Sequence, residues 1–173
     1  TPPNVAIQKY LNGKGVPQLF ASAGGSRFND PQNYRWTVPF YPGFEMEGAV
    51  FAKYILKTKP NDKIAVLYQN DDYGKDYLKG LKRSLGAGAT KAIVAEASYE
   101  LSDPVVDSQV VSLQGAGADT VLEFATPKFA AQAIRKIANL GWKPLQIVGS
   151  PASSINGVLK PAGFDAARGL LTS

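Results

Sequence analysis

Lys63-Ile64-Ala65-Val66-Leu67-Tyr68-Gln69-Asn70-Asp71-Asp72-Tyr73-Gly74-Lys75-Asp76 is the stretch on which the fold turns. Its apolar run, 64–68, stops at a polar turn closed by Gly74. A helical pattern follows at once, with Tyr77, Leu78, Leu81 and Leu85 on one face and Lys75, Lys79, Lys82 and Arg83 elsewhere. The order is strand, loop, helix. An unbroken apolar run suits a strand covered on both faces, as in a parallel sheet. The turn at 71–74 then lies at the carboxyl end of its strand, where open α/β sheets bind ligands.

The same unit recurs toward the C-terminus. A strand at 91–97 follows the glycine stop Gly86-Ala87-Gly88, and Asp103-Pro104 predicts a capped helix start with Val106, Val110 and Leu113 inward. A strand at 119–125 runs into Thr126-Pro127, a second cap-plus-proline start, whose helix carries Ala130, Ile134, Ile137 and Ala138 on one face. A strand at 145–149 leads to the loop 150–154, then helix and loop over 155–167, and 168–173 begins one more strand. Toward the N-terminus, a helix from Glu45 carries Val50, Phe51, Tyr54 and Ile55 on one face and stops at Thr58-Lys59-Pro60. Before it come the stiff Pro39-Phe40-Tyr41-Pro42-Gly43, short strands at 35–38 and 16–21, and a first helix ending at Asn12-Gly13. Alternation of strand and helix every 25 to 30 residues or so predicts an α/β fold with a parallel, doubly wound sheet.

Composition removes several function classes. There is no Cys and no His, so disulfides, thiol nucleophiles, Ser-His triads and the usual zinc sites are excluded. Content of 45% hydrophobic and 19% charged residues describes a soluble, core-forming chain, and no apolar run approaches the roughly 20 residues of a membrane span. The opening Thr1-Pro2-Pro3 has no initiator Met and reads as a processed or excised piece. The formal charge of +5 suits anionic ligands, but the lysines are scattered without a dense aromatic-interleaved run, so no nucleic-acid partner is expected. No nucleotide-binding glycine motif is present, and neither Ser22 nor Ser26 has a base in a Ser-x-x-Lys pattern. Asp71-Asp72 lacks a third ligand and reads as a solvated turn. The expectation is therefore a protein without catalytic residues, metal or cofactor.

Four loops leave strand ends with useful chemistry. Ser22-Ala23-Gly24-Gly25-Ser26 offers small residues that let backbone amides approach a ligand, with hydroxyls beside them; a plain surface turn is the equal alternative. Tyr73, read as a loop residue, either faces a small-molecule cleft or packs beneath its own loop. Thr126 either caps its helix or donates its hydroxyl to a ligand at a helix N-terminus that attracts carboxylates. The loop 150–154 is the fourth, led by Ser150.

Together Asp72-Tyr73-Gly74, the loop 22–26, Glu47-Gly48-Ala49-Val50-Phe51-Ala52-Lys53-Tyr54-Ile55, Asp107-Ser108 and Gly117-Ala118-Asp119 resemble the branched-chain amino-acid type of periplasmic substrate-binding protein. That resemblance implies the type I periplasmic-binding fold, with two α/β lobes that close on a solute and deliver it to the membrane permease of an ABC importer. It implies that residues 1–40 are the end of the first lobe and the hinge approach, and 41–173 the second lobe with the return to the hinge. It also implies a monomer when full length. The family's carboxylate-holding loop falls on Ser22, Ala23, Gly24, Gly25 and Ser26, with Gly24 and Ser26 nearest; its cleft tyrosine falls on Tyr73, and further contacts on Thr126 and Ser150. The acidic residue that grips the amino group of amino acids should fall in 150–152, where Ser-Pro-Ala stands. A buried ammonium without an anion is costly, so the expected ligand is an aromatic or other organic acid rather than an α-amino acid, unless Glu123 supplies the charge. A ligand-sensing regulatory domain of the same fold is the alternative class.

Overall fold

A computed structural model describes residues 2–173; Thr1 lies outside them. Helix α1 (Pro2–Gly13) leads into strand β1 (Gln18–Ala21), which pairs in parallel with β2 (Thr37–Pro39) in a small two-stranded sheet. The register shifts between Gln18 and Ala21, where Phe20 takes φ +52°. This left-handed conformation, rare for a bulky residue, kinks the strand and leaves Leu19 and Phe20 both exposed. Behind them Ala21, Ala23 and Phe28 form a small core. Trp36, exposed, has the Arg35 guanidinium 5.5 Å from its ring.

From α2 (Phe44–Thr58) the chain alternates through β3 (Ile64–Gln69), α3 (Asp72–Leu85), α4 (Ala89–Ala92), β4 (Ile93–Tyr99), α5 (Asp107–Gly115), β5 (Thr120–Phe124), α6 (Pro127–Asn139), β6 (Leu145–Val148) and the short α7 (Lys160–Ala162). The four strands make one parallel sheet ordered β4-β3-β5-β6. Ile64, Val66, Leu122 and Phe124 of the central strands share a core with residues of α2 and α3. Ala65, Leu67 and Val121 join the opposite core with residues of α5 and α6. That is the doubly wound sheet expected from 63–76. Each fully buried Leu, Ile or Val contributes about 1.5–3 kcal/mol relative to exposure, so the apolar run of β3 and the buried Val121 and Leu122 of β5 fix the middle of the sheet. Trp142 closes the α5–α6 side, its indole donating to the Ala118 carbonyl at 3.3 Å.

Several boundaries and faces differ from the sequence reading. The inward face of α2 is Gly48, Phe51, Ala52 and Ile55, at i, i+3, i+4, i+7, while Val50 and Tyr54 are exposed. The cause is a close crossing: a Cβ at Gly48 would overlap the Tyr77 carbonyl oxygen, and one at Gly80 would overlap that of Glu45. The two helices touch backbone to backbone there, which rotates Val50 and Tyr54 out. The expected helix start at Asp103-Pro104 does not form. Asp103 instead holds a turn by accepting from the Glu100 amide at 2.8 Å, and α5 begins at Asp107. On α6, Ala138 lies exposed beyond the buried Ala130, Ile134 and Ile137. The strand expected from Lys91 begins at Ile93 because α4 takes Ala89–Ala92. The strand expected over 168–173 is a single parallel bridge, Leu171 to Ile147.

Candidate ligand-binding site

The carboxyl ends of β1, β3, β5 and β6 carry the four loops singled out above. Asp71 caps α3, its Oδ1 accepting the Tyr73 amide at 2.9 Å and its Oδ2 accepting from Gln69 Nε2 at 2.6 Å. Tyr73 is therefore in the first turn of α3, not in a loop. It is buried, its hydroxyl donates to the Ala125 carbonyl at 3.0 Å, and its ring stands edge-on to Phe44 and Tyr77. Burial pushes its phenol well up. Tyr73 thus reaches across from α3 to the carboxyl end of β5.

Thr126 occupies the N-cap of α6 with Pro127 after it, but its side chain caps nothing. The hydroxyl donates to Gln69 Oε1 at 3.2 Å, and the Thr126 amide donates to the Tyr99 hydroxyl at 2.9 Å. Tyr99 in turn donates to Gln69 Oε1 at 3.1 Å, and burial pushes its phenol up to about 12. Of the two readings of Thr126, the helix cap does not form, and the hydroxyl is engaged with Gln69. Tyr99 and Gln69 were missed because each ends an apolar strand and carries no signal beyond that place.

Ser150 is also engaged. Its amide and hydroxyl donate to Glu47 at 2.6 and 3.0 Å, and the same carboxylate accepts from the Tyr77 hydroxyl at 2.5 Å and the Ser173 hydroxyl at 2.8 Å. Glu47 is buried on α2, so four donors compensate its desolvation. Burial, then Tyr73 and Glu47 nearby, raises the Tyr77 phenol. An acid on the inward face of a helix was the one available sign of Glu47.

In the loop 22–26, Ala23, Gly24 and Gly25 are buried while Ser22 and Ser26 are exposed. The Gly24 carbonyl accepts from the Phe44 amide at 2.8 Å, and a Cβ at Gly24 would strike Pro42 and Phe44, so only glycine fits. The Ser26 amide and hydroxyl donate to Asp76 of α3 at 2.6 and 3.3 Å. Burial pushes the Asp76 carboxyl up, and the two Ser26 bonds pull it back. Beside it Arg27 pairs with Asp72 at 3.6 Å. Among the described residues, the Ser22 hydroxyl and the Gly24 and Gly25 amides have no hydrogen-bond partner.

Glu123 of β5 is fully buried, and both its carboxylate oxygens lack partners among the described residues. It alternates with Leu122 and Phe124, which belong to the α2–α3 core, and pairs in register with Leu67 and Val148 of the α5–α6 core. Its side chain therefore points into the α5–α6 side of the sheet. Among the described residues no three acids cluster to hold a metal ion, and no helix is long and apolar enough to cross a membrane.

The carboxyl ends of strands in an open parallel sheet are where such sheets bind ligands. The profile of the family described as periplasmic binding protein matches residues 2–173, and the chain belongs to that family. No curated protein matches it. Among solved structures, a substrate-binding periplasmic protein from Ralstonia solanacearum superposes with a TM-score of 0.81 at 26% identity, over 98% of this chain and 46% of that one. A fatty acid ABC transporter substrate-binding protein from Thermomonospora curvata gives 0.78 at 19% identity, over 99% and 43%. A branched-chain amino-acid ABC transporter protein from Thermus thermophilus with bound valine gives 0.82 at 16% identity, over 99% and 44%. The chain spans less than half the length of each.

Proposed function

We propose that this chain is part of an extracytoplasmic, periplasmic solute receptor that captures a small carboxylate-bearing ligand between two lobes and hands it to the permease subunits of an ABC importer, without catalysis. In this reading residues 1–40 close the first lobe and 41–173 form the second. The ligand is an aromatic or other organic acid rather than an α-amino acid. What supports this is the lack of a free acid where the resemblance places the amine's partner, the acid at the loop 22–26, Asp76, being held by Ser26. Residues 150–152 hold no acid, Glu47 beside Ser150 already accepts four hydrogen bonds, and Glu123 is fully buried on the α5–α6 side of the sheet. The donors left open, the Gly24 and Gly25 amides and the Ser22 hydroxyl, suit a carboxylate. The Thermomonospora relative, named for fatty acids, offers a precedent for an acid without an amine.

Branched-chain amino-acid binding is the second reading, favoured by the valine in the Thermus relative. Thermal shift of the full-length protein against benzoate, 3-phenylpropionate, octanoate, leucine and valine separates the two. Ligand at 100 times its dissociation constant adds about 2.7 kcal/mol, so we expect a clear rise with an acid and none with leucine or valine. A rise with either amino acid would show that some other group holds the amine.

A further inference from the structure

The donors of the loop 22–26 are divided in use. Three of them, the Gly24 and Gly25 amides and the Ser22 hydroxyl, have no partner among the described residues, while the Ser26 amide and hydroxyl grip a carboxylate that the chain itself provides. The loop therefore has proven carboxylate-binding geometry at one end. We infer that Asp76 is an internal competitor for this anion seat, holding Ser26 and lowering the affinity for carboxylate ligands relative to uncharged isosteres of the same shape.

The geometry supports competition rather than a plain structural pair. Asp76 is buried, and its Oδ2 lies 3.6 Å from where a Gly25 Cβ would stand, so it sits beside Gly25 as well as Ser26. The nearby cation, Arg27, is engaged with Asp72, and the other charges acting on Asp76 from its surroundings include Glu45 on α2 and Asp72 on its own helix, both repulsive. Lys79, on the same helix, is held by Glu45 at 2.5 Å. A second carboxylate arriving at Gly24, Gly25 and Ser26 meets this negative charge at close range, and like charges sharing a site cannot both stay ionised there without cost. Asp76 belongs to α3 and Ser26 to the small two-stranded unit, 50 residues apart in sequence. The bond therefore also ties those two parts together.

This inference rests on the carboxylate reading, and the experiment keeps the two apart. The full-length protein, with Asp76→Asn and Asp76→Ser, is titrated calorimetrically with benzoate, 3-phenylpropionate, octanoate and leucine, and with the primary amide of each acid. Asn keeps a carbonyl acceptor for the Ser26 amide, and Ser removes the carboxylate altogether, so a folding defect in one variant leaves the other to report. We expect either variant to bind the acids about tenfold tighter or more, with the amides changed by less than about twofold. Unchanged acid binding, or acids and amides weakened alike as loss of a structural tie would cause, overturns the competitor role alone. No acid binding by the wild type or the variants overturns the carboxylate reading and the competitor with it.

Discussion

Glu123 has no partner among the described residues, is fully buried and stands in an apolar strand, and burial pushes its carboxyl from the ordinary 4.5 up to about 8. The sign follows from linkage. Between those values the folded protein holds a proton that the unfolded chain has lost, so stability falls as pH rises, by about 1.4 kcal/mol per unit at most. The contribution is fully present below 4.5 and spent above 8. Urea unfolding at pH 5, 6.5 and 8 should therefore show a downward slope that Glu123→Gln flattens, with Glu123→Leu the more stable protein at pH 8. A flat wild-type profile would mean the carboxyl has a partner. The sequence placed Glu123 in a strand but left its direction open, and only the register with Leu67 and Val148 decides it. The same limit hid the partners of Ser26, Thr126 and Ser150, which lie 50, 57 and 103 residues away in sequence. Local pattern finds a donor; it does not find what the donor already holds.

At the level of elements, the crossing of α2 and α3 is the most sensitive joint. Gly48 and Gly80 let the helices meet backbone to backbone, so a methyl group at either forces the helices apart. Gly80→Ala should cost about 3 kcal/mol or more in denaturant unfolding, although alanine is the better helix former by about 1 kcal/mol. A stabilised Gly80→Ala would show that the crossing is looser than described. The strands β3 and β5 were legible because both faces are covered and the apolar run needs no phase. Helix faces were legible only where packing followed the average apolar stripe. On α2 the glycine pair set the phase instead, and Val50 and Tyr54, the more apolar-looking choice, turned outward. Asp103-Pro104 carried a genuine helix-start signal, yet the acid served a turn at Glu100, an alternative use of the same side chain.

Over the whole molecule, two unequal sheets share one chain. The four-stranded sheet has cores on both faces, whereas the two-stranded one rests on Ala21, Ala23 and Phe28 and exposes Leu19, Phe20, Val38 and Phe40. In native-state hydrogen exchange of the 173-residue chain, amides of β1 and β2 should open at least about a hundredfold more often than those of β3 and β5. Equal protection would mean that the two sheets unfold as one unit. The parallel lobe was legible from the alternation, because crossover chirality leaves few ways to assemble such a pattern, and the family from Asp72-Tyr73-Gly74 together with the loop 22–26, residues 47–55, Asp107-Ser108 and Gly117-Ala118-Asp119. The placement of the two tryptophans gives this division an optical handle. Trp142 is packed against the larger unit, and Trp36, 37% exposed, lies in the smaller one. Indole emission moves to longer wavelength as water reaches the ring. Replacing Trp36 with Phe leaves a fluorophore that reports on the larger unit alone, and replacing Trp142 leaves one that reports on the smaller. The chain carries two separate colour gauges of its own unfolding.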